Sequence, residues 1–471
     1  MRVCLILEGC YPYVRGGVSS WAHQYMSESP EVEFVLWTIH ASEKDTQTSL
    51  YELPGNVAAH HRIILDEAYS RSRKKLSPQR AESICDAMRA ILFGDETGWE
   101  RLTELLQAEK LSLWSLANSE AFLELARDLS DRKEGIGLSD AFFSLHSMMM
   151  PVCHVLSAAI PEADVYHSAV AGYGGLLGAM AVIRTGKPFI LTEHGIYPRE
   201  REEELLTADW TARTLRAVWT ELFYGMSRFA YRQAVTVTSL FSGAKERQIA
   251  IGCSAERCRV IPNGIMTERF GALDDPKPSS VLHIGAFVRF AAIKDLKTMI
   301  HAFYALRQEY PNVVLHLMGG NDDESYRDSC IALIHRLHLT EAVRIEGHVD
   351  PLIYMDKMDM TVLSSISEGQ PLTLLESMAA GRPCVATRVG NCQEMIEKPV
   401  GAIGPAGICC TPMSPQELAD AMGRLCAAPE LRLKMGHNGR KRVAEAYQLE
   451  NMLAAYHRLY QEVRDHGRHR L

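Results

Sequence analysis

Two carboxylates eight residues apart, Glu368 and Glu376, bracket a Gly369-Gln370-Pro371 turn and an amphipathic run that stops at Gly381. An ionised carboxylate only accepts hydrogen bonds, so such a pair suits a ligand rich in hydroxyls. Between the two, Gly369 lets a bound group approach the backbone closely, and Pro371 falls at or near the first helical position, where its missing N–H costs little. The amides of Leu372 and Thr373 then stand at a positive helix end, a seat for a phosphate or sugar oxygen. Two cations five residues apart, Arg289 and Lys294, straddle another strand-to-helix turn and offer a planar fork and a point charge. Gly16-Gly17 separates an apolar strand from an amphipathic helix, a second loop for phosphate or sugar approach. Its spacing is not G-x-G-x-x-G, so a dinucleotide fingerprint is not supported. His194 and His167 each follow an apolar run, at the strand end where open parallel sheets put their ligands. Against these readings stand plainer ones: a solvated helix with a polar cap, solvated cations, a glycine turn required by its dihedrals, and histidines satisfied in a core.

The elements that must position these groups alternate between strand and helix. Runs at 3–7, 34–39, 164–169, 188–192, 234–239, 281–284, 313–318, 343–347, 360–363 and 384–388 read as buried parallel strands, so the fold class is α/β with parallel sheets. From about 66 to 156 strand character disappears and helices are expected at 81–92, 100–109, 119–129 and 141–156, a helical insertion whose basic start (Arg71, Arg73, Lys74, Lys75, Arg80) reads as a solvated face. Trp219, Phe223, Phe229 and Tyr231 recur at helical spacing within 211–232 and read as core. Residues 271–280 look like a linker, and the chain is expected to end in helices from about 414 to 460 and a tail rich in His and Arg.

The 471 residues are enough for two or three domains, and 47% hydrophobic with 23% charged residues is ordinary for a globular chain. A net charge of −8 argues against a general nucleic-acid binder. Twelve cysteines without paired metal-ligand spacing read as reduced thiols in a cytoplasmic setting, and neither a signal peptide nor a membrane span is expected.

The string Ser-Glu-Gly-Gln-Pro-Leu-Thr-Leu-Leu-Glu-Ser-Met-Ala-Ala-Gly at 367–381 resembles the E-x7-E motif of the retaining glycosyltransferases of family 4. The resemblance covers nearly the whole chain. It implies a GT-B fold, two Rossmann-like domains with parallel sheets facing a central cleft. The expected division is 1–275 for an acceptor-side domain with the helical insertion, 276–450 for the nucleotide-sugar domain, and 451–471 for a helix crossing back to the first. Carried over residue by residue, Glu368 holds donor-sugar hydroxyls and Glu376 the ribose, while Arg289 and Lys294 clamp the pyrophosphate. Gly16, Gly17, Gly369, Pro371, Leu372 and Thr373 line the donor, His348 follows the strand where the base is bound, and His194 lines the reaction centre. The resemblance further implies a metal-independent reaction without a cofactor. A hexose or N-acetylhexosamine would pass from a UDP-sugar to a growing polysaccharide or other acceptor. The strings at 9–21, 192–201 and 367–371 look like the cytosolic glycosyltransferases of bacterial Pel exopolysaccharide synthesis, which implies a membrane-bound synthase complex as partner and a peripheral place at the inner membrane. Another GT-B enzyme, such as a sugar-nucleotide epimerase, and a non-catalytic nucleotide-sensing scaffold are the alternatives. Donor sugar, linkage and oligomeric state are not legible.

Overall fold

A computed structural model describes residues 1–471 except 72–73, 108–111, 133–134, 208–212, 278, 322, 399 and 469–471. Arg73 of the basic stretch, Thr211 at the expected helix start and Asp322 of an acidic loop therefore lie outside the described residues. The chain divides into two compact units, Met1–Ile261 with Ala455–Leu471, and Pro262–Ala454.

The first unit is built on seven parallel strands: β1 (Arg2–Glu8), β2 (Glu33–His40), β3 (Val57–Ile64), β4 (Val165–Ser168), β5 (Phe189–Glu193), β6 (Thr236–Ser239) and β7 (Cys258–Val260), in the order β3-β2-β1-β4-β5-β6-β7. The second has six: β8 (Leu282–Phe287), β9 (Val313–Met318), β10 (Val343–Gly347), β11 (Met360–Leu363), β12 (Cys384–Thr387) and β13 (Gly407–Cys410), in the order β10-β9-β8-β11-β12-β13. Each is a Rossmann-like sheet. Strand order reverses between β1 and β4 and again between β8 and β11, and at such a switch point the connections part and leave a crevice beyond the strands' C-terminal ends.

Central strands are apolar on both faces, as parallel sheets covered by helices require: Val3, Cys4, Leu5, Ile6 and Leu7 are all fully buried. The strands that sequence reading missed, β3, β7 and β13, all lie at sheet edges. Along β3 half-buried and exposed residues mix and β7 is mostly exposed, so no continuous apolar run marks these two, whereas β13 is a short, mostly buried Gly-Ile-Cys-Cys run.

Between β3 and β4 run the helices Pro78–Leu92, Gly98–Leu105, Leu113–Ala117, Glu120–Arg132 and Leu138–Leu156. Their apolar faces (Ile84, Met88, Trp99, Phe122, Leu145) share one core with Cys4 and Ile6 of the sheet, so the insertion is part of the unit and not a satellite. Trp99 stacks on Phe229 at 5.6 Å, which puts the aromatic stripe of helix Arg216–Gln233 in the core. Beyond β13 the expected terminal helices are three, Pro415–Ala427, Pro429–Ala446 and Leu449–Arg468. Among the described residues no helix is long and apolar enough to cross a membrane. All twelve cysteines are free, eleven of them buried, which agrees with thiols packing as small hydrophobes.

Candidate functional site

Apart from His348, the residues selected from sequence fall at or beside the two switch points, and each set is described within its own unit. At the first, β1 ends in Glu8 and the chain reaches Gly16 and Gly17, which open helix Gly17–Ser27. Gly16 is extended (φ 171°), and a Cβ at either position would meet nothing within 4 Å. Neither turn geometry nor packing thus demands glycine here, contrary to the plainer reading, and the pair leaves bare backbone at a helix start.

Two histidines on neighbouring strands have opposite surroundings. His167, in β4, is fully buried, with Nδ1 2.6 Å from the Tyr460 hydroxyl and Nε2 2.7 Å from Thr192 Oγ1. Burial, helped by His194, lowers it to about 3. Both nitrogens are committed, so His167 is a core residue tying β4 and β5 to the C-terminal helix. His194, just beyond β5, is half-buried, and its Nε2 is shut from solvent with no hydrogen-bond partner among the described residues. Burial lowers its pKa to about 4, so it is neutral near pH 7. Its ring meets Trp21 edge-on at 4.5 Å.

Sequence reading passed over Trp21 and Glu193. Glu193 is buried at the end of β5, pushed up to about 7 by desolvation and held by Tyr231 Oη at 2.7 Å and Gln248 Nε2 at 2.9 Å. It anchors the strand end from which His194 emerges. A carboxylate ending an apolar run, and a tryptophan on the inner face of the helix that follows Gly16-Gly17, were the available signals.

The second site is laced from four strand ends. After β8 the chain runs through Arg289, half-buried, to a tight turn at Ala292–Lys294 and helix Leu296–Glu309, capped by the Asp295 side chain on Thr298 N–H. A Cβ at Gly319, beyond β9, would strike the Val288 carbonyl, so glycine there lets the two loops touch. After β11, Ser364 Oγ donates to the carbonyls of Lys294 (2.8 Å) and Asp295 (3.0 Å), and Ile366 N–H to that of Ile293 (2.8 Å). From β12, Thr387 Oγ1 donates to Ser365 O at 2.6 Å. These bonds bring Lys294 and Glu368 together: Glu368 Oε1 accepts from Lys294 Nζ and from Ser365 Oγ, both at 2.5 Å. The ion pair is largely shielded, with side-chain exposures of 18% and 11%.

Helix Leu372–Ala379 follows at once, with Pro371 at its N-cap rather than inside the first turn, because its ψ of 119° is still extended. Leu372 and Thr373 are the first two helical residues, whose amides have no acceptor within the helix. The helix stops as its sequence demanded. Gly381 is left-handed (φ 70°), its N–H bonds to Met378 O, and Arg382 N–H reaches back to Ser377 O at 2.8 Å. Glu376 is half-buried on this helix, and desolvation pushes it up to about 7 while Arg269 pulls it down. Gly369 lends its carbonyl to Asn391 N–H at 2.9 Å. Asn391 is also the N-cap of helix Cys392–Ile396. His348 follows β10 at the sheet's outer edge, exposed, with its ring against Gly320.

Residues 1–256 match the family described as "Domain of unknown function (DUF3492)", and 267–442 match "Glycosyl transferases group 1". Among curated proteins the chain is 25% identical over 291 residues to an MMP α-(1→4)-mannosyltransferase of Mycolicibacterium hassiacum, covering 60% of this chain and 68% of that one. It is 29% identical over 184 residues to the N-acetyl-α-D-glucosaminyl L-malate synthase of Bacillus anthracis, covering 39% of this chain and 45% of that one, less than half its length. Among solved structures, Anabaena HepE in complex with UDP-glucose superposes with a TM-score of 0.62 at 15% identity, covering 98% of this chain and 99% of that one. Sucrose-phosphate synthase of Thermosynechococcus elongatus gives 0.62 at 18% identity, covering 98% of each. At these identities the structural likeness speaks for the fold alone.

Proposed function

The chain belongs to the DUF3492 family, with a group 1 glycosyltransferase domain in its second half and the GT-B fold, and on that premise we propose that it is a retaining glycosyltransferase that moves a hexose or N-acetylhexosamine from a UDP-sugar to a saccharide acceptor. The observation that carries the reading is the shielded Lys294–Glu368 pair at the switch point of β8 and β11, beside a helix start and a half-buried Glu376. That arrangement suits a ligand that is hydroxylated at one end and anionic at the other. The sugar-transferring relatives and the UDP-glucose complex of HepE support the same ligand class.

In this reading Glu368 accepts hydrogen bonds from donor-sugar hydroxyls, and Glu376 from the ribose. Arg289 and Lys294, with the amides of Leu372 and Thr373, meet the diphosphate. The loop after β10, with His348, receives the base. Gly16 and Gly17 present bare backbone to a sugar or phosphate, and neutral His194 hydrogen-bonds the reacting sugar. The anomeric C–O bond to the β-phosphate breaks as the acceptor oxygen bonds to the same face, and the acceptor's proton passes to the departing phosphate. Charge growing on that phosphate is met by fixed cations, so no metal is required. The strings at 9–21, 192–201 and 367–371 support a place among the glycosyltransferases of Pel exopolysaccharide synthesis, acting beside a membrane synthase complex.

The test is to incubate the protein with a panel of UDP- and ADP-sugars and follow nucleotide release and the anomeric configuration of the product. Release from a UDP-sugar with an α-linked product from an α-donor is expected. Epimerised free sugar would indicate a sugar-nucleotide epimerase, and binding without turnover a scaffold.

A further inference from the structure

Gln370 lies between the two glutamates, and the proposed chemistry gives it nothing to do. Its side chain is 5% exposed, and its Oε1 accepts the backbone N–H of Asn263 at 2.6 Å. Asn263 Nδ2 lies 3.4 Å from the Gln370 carbonyl. Gln370 Nε2 and Asn263 Oδ1 are both shut from solvent and find no partner among the described residues. A half-satisfied amide pair of this kind is a costly way to fill a core, since apolar side chains of the same size would pack there without orphaned polar atoms. Packing alone therefore does not account for it.

What Gln370 grips is the turn at which the chain enters the second unit, whose first residue is Pro262. The same turn is fastened on its other side. Ile265 N–H donates to Tyr447 O and Leu449 N–H to Ile265 O, each at 3.0 Å, and a Cβ on Gly264 would strike the backbone of Gln448. Residues 447–449 lead into the helix Leu449–Arg468, along which the chain leaves the unit after Ala454. Entering and leaving segments are thus knotted by backbone hydrogen bonds, and the knot is bonded to Gln370. From the opposite side the Glu368-Gly369 loop rests on Gly390, where a Cβ would strike the Glu368 carbonyl, and on Asn391 N–H.

We infer that Gln370 is a positioning residue. Its side chain is a strut that holds the Glu368-Gly369 loop to the knot of entering and leaving chain, so that the carboxylate facing the donor sugar is set by the segments that connect the two units. The inference rests on the transferase reading for the ligand, but the strut itself is testable without activity.

The substitutions are Gln370→Met, which keeps the volume and removes the acceptor, and Gln370→Glu, which keeps an acceptor oxygen for Asn263 N–H. Amide hydrogen exchange of the ligand-free 471-residue chain should show faster exchange in Gln370→Met at both 364–371 and 262–266, with the rest of the sheet unchanged. Turnover of a UDP-sugar should fall about 10- to 100-fold while UDP affinity stays within about twofold, because Glu376 and the helix start are untouched; the fall is of the size seen when one hydrogen bond to a reacting group is misplaced. Gln370→Glu should recover most of the rate. Unchanged exchange in either segment overturns the strut. Parallel losses of UDP affinity and turnover reduce Gln370 to a folding residue and overturn the positioning role. A wild-type protein that turns over no nucleotide sugar defeats the transferase reading instead, and the exchange experiment still decides the strut.

Discussion

The two switch points share one topology and differ in electrostatics. At the first, burial lowers the histidines His167 and His194 to about 3 and about 4, neutral near pH 7, and pushes Glu193 at the end of β5 up to about 7. At the second, Lys294 and Glu368 are a charged pair with each other as partner, and only Glu376 is pushed toward neutrality, to about 7. The same fold can present a neutral wall or an ionic seat, because topology decides where a crevice opens and side chains decide what it attracts. At the second point Ser365 Oγ and Lys294 Nζ both donate to the Glu368 carboxylate.

If the second point is the one that meets developing charge, removing its cations should do the most damage. Lys294→Ala or Arg289→Ala should each lower turnover by about 10²–10³, the scale for losing one preorganised charge-stabilising group, with a smaller loss of donor affinity. Equal losses in rate and affinity would mean the pair only holds substrate. Lys294→Arg should not restore the rate, because a planar fork cannot take a point charge's place.

A smaller effect should separate the glutamates. Glu368→Ala should weaken UDP-sugar and spare free UDP, whereas Glu376→Ala should weaken UDP itself, each by roughly 10- to 100-fold as expected for a lost charge-assisted hydrogen bond. Calorimetric titration with both ligands checks this, and matching losses for free UDP would erase the division of roles.

The histidines sharpen the comparison from the other side. His194→Ala should cut turnover by roughly tenfold, the effect of a lost hydrogen bond to a reacting group, with little change in donor affinity or melting temperature. His167→Ala takes the imidazole partner from the Tyr460 and Thr192 hydroxyls, although Thr192 keeps Thr238, and should cost about 1–3 kcal/mol of stability, read by denaturant unfolding. A stable His167→Ala protein with lost activity would reverse the assignment.

Acidity offers a milder probe. Glu376 offers both oxygens to the ribose, as stronger charge-assisted acceptors, only when ionised, and its pKa is raised to about 7, so the better binding form grows as pH rises through 7. UDP affinity should climb about tenfold from pH 6 to 8 and be flat in Glu376→Gln. The sign for stability is opposite: between 4.5 and 7 the folded carboxyl holds a proton that the unfolded one releases, so this group's contribution is lost as pH rises through 7. His194, neutral in the fold above about pH 5, should not change UDP affinity between pH 6 and 8, while its lowered pKa adds stability as pH rises from about 4 to 6.5. Last, EDTA should leave turnover unchanged; full loss rescued by one divalent ion would break the metal-free account.

Much of this was legible in the chain. The apolar runs identified the central strands, because a parallel strand covered on both faces must be apolar throughout. The stop at Gly381 was readable because only glycine enters the left-handed region freely. Local chemistry also picked out Glu368, Glu376, Arg289, Lys294 and the Gly16-Gly17 loop, since helix starts and glycine turns are written in contiguous residues. The edge strands β3 and β7, only partly buried, were not. What only the tertiary structure decided were the pairings between distant segments. Lys294 meets Glu368 through bonds from Ser364 and Ile366, His167 is silenced by Tyr460 293 residues away, and Gln370 grips Asn263 107 residues before it. Spacing in a sequence specifies which way a side chain points from its own element. Which group it finds there depends on how strands that are far apart in the chain become neighbours in a sheet, and burial then sets whether the encounter is charged or neutral.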